Sequence, residues 1–202
     1  MIAIIDYGMG NIHSVRKALE NGGARVSVTG EPSELRKADK IVLPGVGAFG
    51  DAMYALSRGG LADEIRHLIK DGRIFLGICL GMHLLFDSSE ESVGVPGLGV
   101  IPGVVVRFPA WPGLKVPHMG WNQFKLRKSD CPLFRGMRDG ASVYFCHSYF
   151  PVAKDTAVVA ASTEYGQDFA SILWYNNVFA MQFHPEKSQA DGLRLIENFV
   201  KL

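Results

Sequence analysis

Short apolar runs alternate with amphipathic segments through the first 79 residues, and few folds accommodate that order. Met1–Ile5, Ala24–Val28, Lys40–Leu43 and Ile74–Leu76 read as strands. Between the first two, Ile12, Val15, Ala18 and Leu19 recur at helical spacing, with Asn11 as a candidate N-cap and Gly22-Gly23 as the stop. Ser33–Lys37 reads as a short polar helix, Asp51–Leu56 as another, and Leu61, Ile65, Leu68 and Ile69 line one face of a further helix. Strands joined through helices run parallel, because such a crossover returns the chain to the same end of the sheet. The expectation is an α/β fold: a doubly wound, mostly parallel central sheet with helices on both faces. Its ligands should lie outside the carboxyl ends of the strands.

The texture changes after Phe86. Ser88–Pro102 is rich in Gly, Ser, Glu and Pro and reads as a surface loop. Val104–Val106 and Asn122–Leu126 read as antiparallel strands with Pro117–Asn122 between them, and Cys131–Phe134 as a short helical turn. Ser142–Pro151, Ala157–Ser162, Phe169–Trp174 and Val178–Phe183 are of strand type, with Asn176-Asn177 as a hairpin turn because Asn tolerates positive φ. Ser188–Leu202 reads as a closing helix with Leu193, Leu195, Ile196, Phe199 and Val200 apolar. No repeat or linker interrupts the 202 residues, so a single domain over 1–202 with a mixed, antiparallel second half is expected.

Charge excludes some function classes. The formal net charge is +1 with both signs interspersed, which leaves no footprint for nucleic acid or a membrane surface. No window approaches the ~18 continuous apolar residues of a spanning helix. The opening MIAIIDYG has neither the basic nor the apolar region of a signal peptide. Cys79, Cys131 and Cys146 are three thiols at no metal-like spacing, which reads as free cysteines in a reducing cytoplasm, with a Cys131–Cys146 pairing not expected. No histidine pair has ligand spacing, so no metal is assigned.

The candidate chemistry centres on Gly77-Ile78-Cys79-Leu80-Gly81, set between a strand and a helix. Such a turn holds its middle residue in a sharp bend and needs small flanking residues. A thiol there stands at a helix N-terminus, which favours thiolate; the alternative is a buried core cysteine beside packing glycines. Downstream, Phe183-His184-Pro185-Glu186 carries an imidazole and a carboxylate held apart by a rigid proline. They suit a base and its orienter, although a turn histidine with a solvated glutamate is the plainer reading. Both Cys79 and His184 fall at carboxyl ends of expected strands, which favours the catalytic reading. Pro44–Gly50, with three glycines in seven residues, lacks the dinucleotide pattern and is either an ordinary loop or one able to approach a ligand. His13 and His67 read as surface residues. His83 lies one helical turn beyond Cys79 and points to the same mouth. His118 and His147 sit among aromatics, as ligand contacts or as structural histidines.

Together, GICLG with Cys79 and QFHPE with His184 and Glu186 resemble the class I, triad-type glutamine amidotransferases, over the whole chain. Within that class DYGMGN (6–11), LPGVGAF (43–49), PHMGWN (117–122), YFCHSY (144–149) and MQFHPEKS (181–188) are similar to the glutaminase subunits of imidazole glycerol phosphate synthase, of histidine biosynthesis. The resemblance implies that Cys79 attacks the glutamine amide, His184 serves as base and acid, and Glu186 orients His184. It implies oxyanion donors at the N–H groups of Val46 and Leu80. Glutamine would be held by Gly47, His83 and the chain at His147, Ser148 and Tyr149. Ammonia would pass to a (β/α)8-barrel cyclase in a heterodimer, docked on a face containing Asn11, His118, Met119 and Trp121. Trp121 is the candidate anchor, internal packing being its alternative. No cofactor is implied.

One position departs from the pattern: the common motif places Gln where this chain has His83. Imidazole changes charge near neutral pH, so an altered glutamine affinity or pH dependence is expected. Two other readings follow from the same class: a glutaminase serving an anthranilate, pyridoxal phosphate or guanylate pathway, and a regulatory module whose glutaminase has lapsed. PHMGWN and DYGMGN argue against the first, and an intact Cys79, His184 and Glu186 against the second.

Overall fold

The computed structural model describes residues 1–202. Its first half follows the alternation in the sequence: β1 (Ile2–Ile5), α1 (Ile12–Asn21), β2 (Val26–Thr29), α2 (Pro32–Leu35), β3 (Lys40–Gly45), α3 (Phe49–Arg58), α4 (Leu61–Lys70) and β4 (Ile74–Cys79). After the single-turn α5 (Leu80–His83) come β5 (Ser88–Ser89), β6 (Gly103–Arg107), β7 (His118–Leu126), β8 (Ser142–His147), β9 (Tyr149–Ala153), β10 (Val159–Tyr165), β11 (Gln167–Tyr175), β12 (Val178–Met181) and α6 (Gln189–Val200). Nine strands form one sheet in the order β2-β1-β3-β4-β12-β11-β10-β7-β8, and β5-β6-β9 form a smaller one.

The sheet is parallel from β2 to β12 and antiparallel from β12 to β8. Its two faces carry separate cores, read directly from alternation along the strands. Ala3, Ile5, Leu43 and Phe75 pack with Phe49, Leu56, Ile65 and Leu68 from α3 and α4. Ile2, Ile4, Val42, Leu76 and Ile78 pack with Val15 and Leu19 of α1 and Leu195, Ile196 and Phe199 of α6. Burial on both faces explains why these strands are apolar along their length, Lys40 at the start of β3 apart. Register sets the site: Gly45 pairs with Cys79, and Met181 with Ile78. The loops leaving β3, β4 and β12 therefore open at one edge.

The sequence-based reading needs correction in several places. Asn11 occupies the N-cap position of α1 but its side chain makes no capping bond. The helical run after Cys79 ends at His83, and Leu84–Phe86 turn away. Ser88–Pro102 is not a detached loop: Leu98 and Val100 donate to the carbonyls of Leu84 and Leu85, both at 2.8 Å, and Leu98 and Ile101 are buried. His118–Asn122 is strand rather than connection, so β7 is longer than expected. β6 and β7 do not pair with each other but lie in different sheets. Ser142–Pro151 is two strands, broken at Ser148, where the chain leaves the large sheet for the small one. Leu193 faces solvent on α6.

Candidate active site

Cys79 ends β4 and precedes α5 with φ 54° and ψ −110°, a backbone conformation costly for any residue with a side chain. The flanking glycines permit it. A Cβ on Gly77 would lie 2.6 Å from the Gly81 carbonyl oxygen, and one on Gly81 would collide with the Leu43 carbonyl. Leu84 N–H donates to Leu80 O at 3.0 Å, closing the first turn over the bend. The thiol is buried and faces the Cys146 carbonyl at 4.0 Å.

His184 follows β12 and is tied to the antiparallel half. Its N–H donates to Tyr144 O at 3.0 Å; the Ser188 hydroxyl donates to the His184 carbonyl at 2.6 Å and accepts the Tyr144 N–H at 2.9 Å. Nδ1 of His184 lies 3.0 Å from Glu186 Oε1. A carboxylate only accepts, so Nδ1 carries the proton and Nε2 is left for chemistry. Burial on its own lowers the affinity of this imidazole for a second proton. Its Cys79 and Glu186 neighbours more than reverse that, and its pKa is raised to about 10. The Glu186 side chain is wholly buried, and its Oε2 has no partner.

A cavity of about 370 Å³ opens beside Cys79. Val46 and Gly47, which follow β3, and Leu80 and His83, which follow β4, line it. His147, Ser148, Tyr149 and His184 line it from the second half of the chain. Residues from three distant parts of the chain thus meet at one mouth. Gly47 has φ 98°, and a side chain there would press on Met9 of the Asp6–Asn11 loop at 2.7 Å.

His83 is buried, and its Nε2 lies 2.7 Å from Gln182 Oε1. Burial pushes its pKa down to about 4, against a weaker opposing pull from Gln182. The expected change of charge near neutral pH has no basis in the structure: the ring is neutral there, donating from Nε2 and keeping Nδ1 as an acceptor.

Two residues, one on the wall and one behind it, escape a sequence reading. Glu91, in the Gly- and Ser-rich stretch after Phe86, lines the cavity while its Oε2 accepts the Phe49 N–H at 2.8 Å at the start of α3. Tyr7 is half-buried behind Gly45 and donates to the Pro44 carbonyl at 3.1 Å; desolvation first, then the charge of nearby Cys79, raise its pKa. Glu91 carries no local motif, Tyr7 lies in DYGMGN without a role that the motif spells out, and both depend on loops meeting in space.

Of the four residues expected on a docking face, Met119 and Trp121 alternate outward from β7 and are 66 % and 49 % exposed. Internal packing of Trp121 is thereby ruled out. Asn11 is half-buried with a free side chain. His118 is not on that face: it is 3 % exposed and stacks between Phe145 and Tyr165. The strand pleat turns it inward while its neighbour Met119 turns out.

The fold and this arrangement define a class. The family model for glutamine amidotransferase class-I matches residues 3–202, and the chain belongs to that family. Among curated relatives it is 52 % identical to imidazole glycerol phosphate synthase subunit HisH of Syntrophotalea carbinolica, over 98 % of each chain. It is 51 % identical to the same subunit of Geobacter sulfurreducens, over 98 % of this chain and 97 % of that one. The structure of PurLQS from Thermotoga maritima shares the fold, with a TM-score of 0.78 at 20 % identity over 99 % and 97 % of the two chains.

Proposed function

We propose that this chain is the glutaminase subunit of an imidazole glycerol phosphate synthase, acting as one domain over residues 1–202. Cys79 is the nucleophile, His184 its base and Glu186 the orienter. The observation that carries this reading is the strained Cys79 beside a His184 whose Nδ1 is held by a buried carboxylate. The thiolate adds to the side-chain carbonyl carbon of glutamine. The oxyanion takes the N–H groups of Leu80 and Val46, whose residues border the cavity. Protonated His184 gives its Nε2 proton to the departing amine, and ammonia leaves with formation of the Cys79 thioester. His184 then draws a proton from water, which attacks the thioester to release glutamate and restore the thiol.

Substrate recognition is divided around the cavity. Glu91 supplies a carboxylate on the wall, suited to the α-ammonium group of glutamine, with His83 as a neutral acceptor nearby. Gly47 and the chain from His147 to Tyr149 bring backbone close to the ligand. Released ammonia goes to a cyclase partner of (β/α)8-barrel type in a heterodimer. Met119 and Trp121 support the outward face of β7 as its dock, with Asn11 at the margin. Three free cysteines support a reducing, cytoplasmic setting. No helix is long and apolar enough to cross a membrane.

The test is glutamate release by the chain with and without a cyclase and its nucleotide substrate. Partner-stimulated release is expected, with none from Cys79→Ala, whose complex still accepts free ammonia. Glutamine use by Cys79→Ala would remove the assigned nucleophile. Release indifferent to the cyclase would point to another pathway.

A further inference from the structure

His118 and His147 take no part in the thiol chemistry, yet they are register partners on β7 and β8, buried, and bonded to each other. Their bonds run in one direction. The Tyr149 carbonyl only accepts, so Nδ1 of His147, 2.8 Å away, carries a proton. Burial keeps His147 neutral, so its Nε2 is bare. His118 Nδ1, 3.1 Å from that Nε2, is therefore the donor. His118 is neutral for the same reason, so its own Nε2 accepts, and Asn122 Nδ2 supplies the proton at 3.3 Å. Asn122 also donates to Glu164 O at 2.9 Å and accepts from Gln123 N at 2.7 Å, which fixes its amide the same way round. One orientation of every group satisfies every bond.

Aromatic rings wall this chain of bonds. His118 stacks at 4.7 Å on Phe145 and 4.0 Å on Tyr165, and Phe108 and Phe169 lean on His147 at 5.3 and 5.2 Å. Its far end is at the cavity. Ser148 is the one residue between β8 in the large sheet and β9 in the small one. The His147 ring bonds its own chain two residues on, across that step. The Ser148 carbonyl is held by Phe108 N–H at 3.0 Å. His147, Ser148 and Tyr149 all line the cavity, so the shape of its wall depends on which nitrogen of His147 is protonated.

We infer that Asn122, His118 and His147 form a one-way hydrogen-bond relay that positions the His147–Tyr149 wall for substrate, making His118 and His147 positioning residues. The substrate is the glutamine of the reading above, on which this inference rests. The tautomers are tested by proton–nitrogen correlation spectra of the chain with isotope-labelled histidines near neutral pH. Both rings are expected as the Nδ1–H tautomer; an Nε2–H tautomer or an imidazolium at either would overturn the relay. The role is tested by glutamine kinetics with the cyclase present. His118→Phe keeps the aromatic stack but removes the donor, and should raise the glutamine KM about tenfold with kcat within about threefold. His118→Asn returns a donor at the Nδ1 position and should bring KM back to within about threefold of the parent. A folded His118→Phe with unchanged KM, or equal losses in both variants, would overturn the role. If neither variant folds, the tautomers of the parent chain still decide. A parent chain inert toward glutamine would sink the substrate reading, while the spectra would still judge the relay.

Discussion

At Glu186 a single carboxylate is asked to do two things: fix the tautomer of His184 and hold it protonated when ammonia must leave. Oε1 makes the 3.0 Å contact to Nδ1, and Oε2 is buried without a partner. Glu186→Gln retains an acceptor for Nδ1 but not the charge, so His184 loses part of what raises it to about 10. The expected outcome is a kcat for glutamine hydrolysis reduced by about 10²–10⁴ with KM within a few fold, read from steady-state kinetics. An unchanged kcat would leave Glu186 a structural residue. His83 poses the opposite case. Because burial pushes it to about 4, it carries no charge at working pH. The glutamine KM of the parent chain and of His83→Gln should share one pH profile from about pH 6 to 8. An inflection present only in the parent would show that His83 titrates there after all.

Among the elements, the joint between β8 and the start of α6 is where the antiparallel half takes hold of the site. Ser188 stands immediately before α6, and its hydroxyl bridges the His184 carbonyl and the Tyr144 N–H of β8. Ser188→Ala removes both bonds from a buried position and leaves an amide without its acceptor. It should cost about 1–3 kcal/mol of stability by urea denaturation. His184 should also lose registry, seen as a lower kcat at little-changed KM. Equal stability of parent and variant would mean that Ser188 bridges nothing of consequence. How far the sequence could be read follows from the same elements. The parallel half was legible because both of its faces are buried, and apolar runs at β1, β3 and β4 say so directly. The strained turn at Cys79 was legible from Gly77 and Gly81, and the bend at His184 from Pro185. His118 is misplaced when PHMGWN is read as a connecting segment, because it is part of β7. Its alternation, His118 in and Met119 out, carries the answer. The places of Glu91 on the cavity wall and of Tyr7 behind Gly45 are illegible in principle, since each is set by a loop whose path depends on distant partners.

For the molecule as a whole, three buried histidines set its response to acid. Burial pushes His83 and His118 down to about 4, and His147 well below its ordinary value. In the unfolded chain each titrates near 6.5. Between those values the unfolded state binds protons that the folded state refuses, so stability is full above about pH 6.5 and falls as pH drops toward 4. Each histidine contributes a slope of up to roughly 1.4 kcal/mol per pH unit. His184 has the opposite sign. Raised to about 10, it gives its full stabilisation below pH 6.5 and loses it as pH climbs toward 10, so it does not relieve the acid limb. Carboxylates enter later: Glu64, held low chiefly by its hydrogen bond to Arg36, starts to cost stability only below its unfolded value of 4.5. Urea midpoints measured from about pH 7 to 5 therefore report the histidines nearly alone. A decline over that range is expected, and His83→Gln should flatten it by the share of one proton. Stability level from pH 7 to 5 would mean that these rings take up protons in the folded state, and with them the cavity wall that His147 supports would have to rearrange.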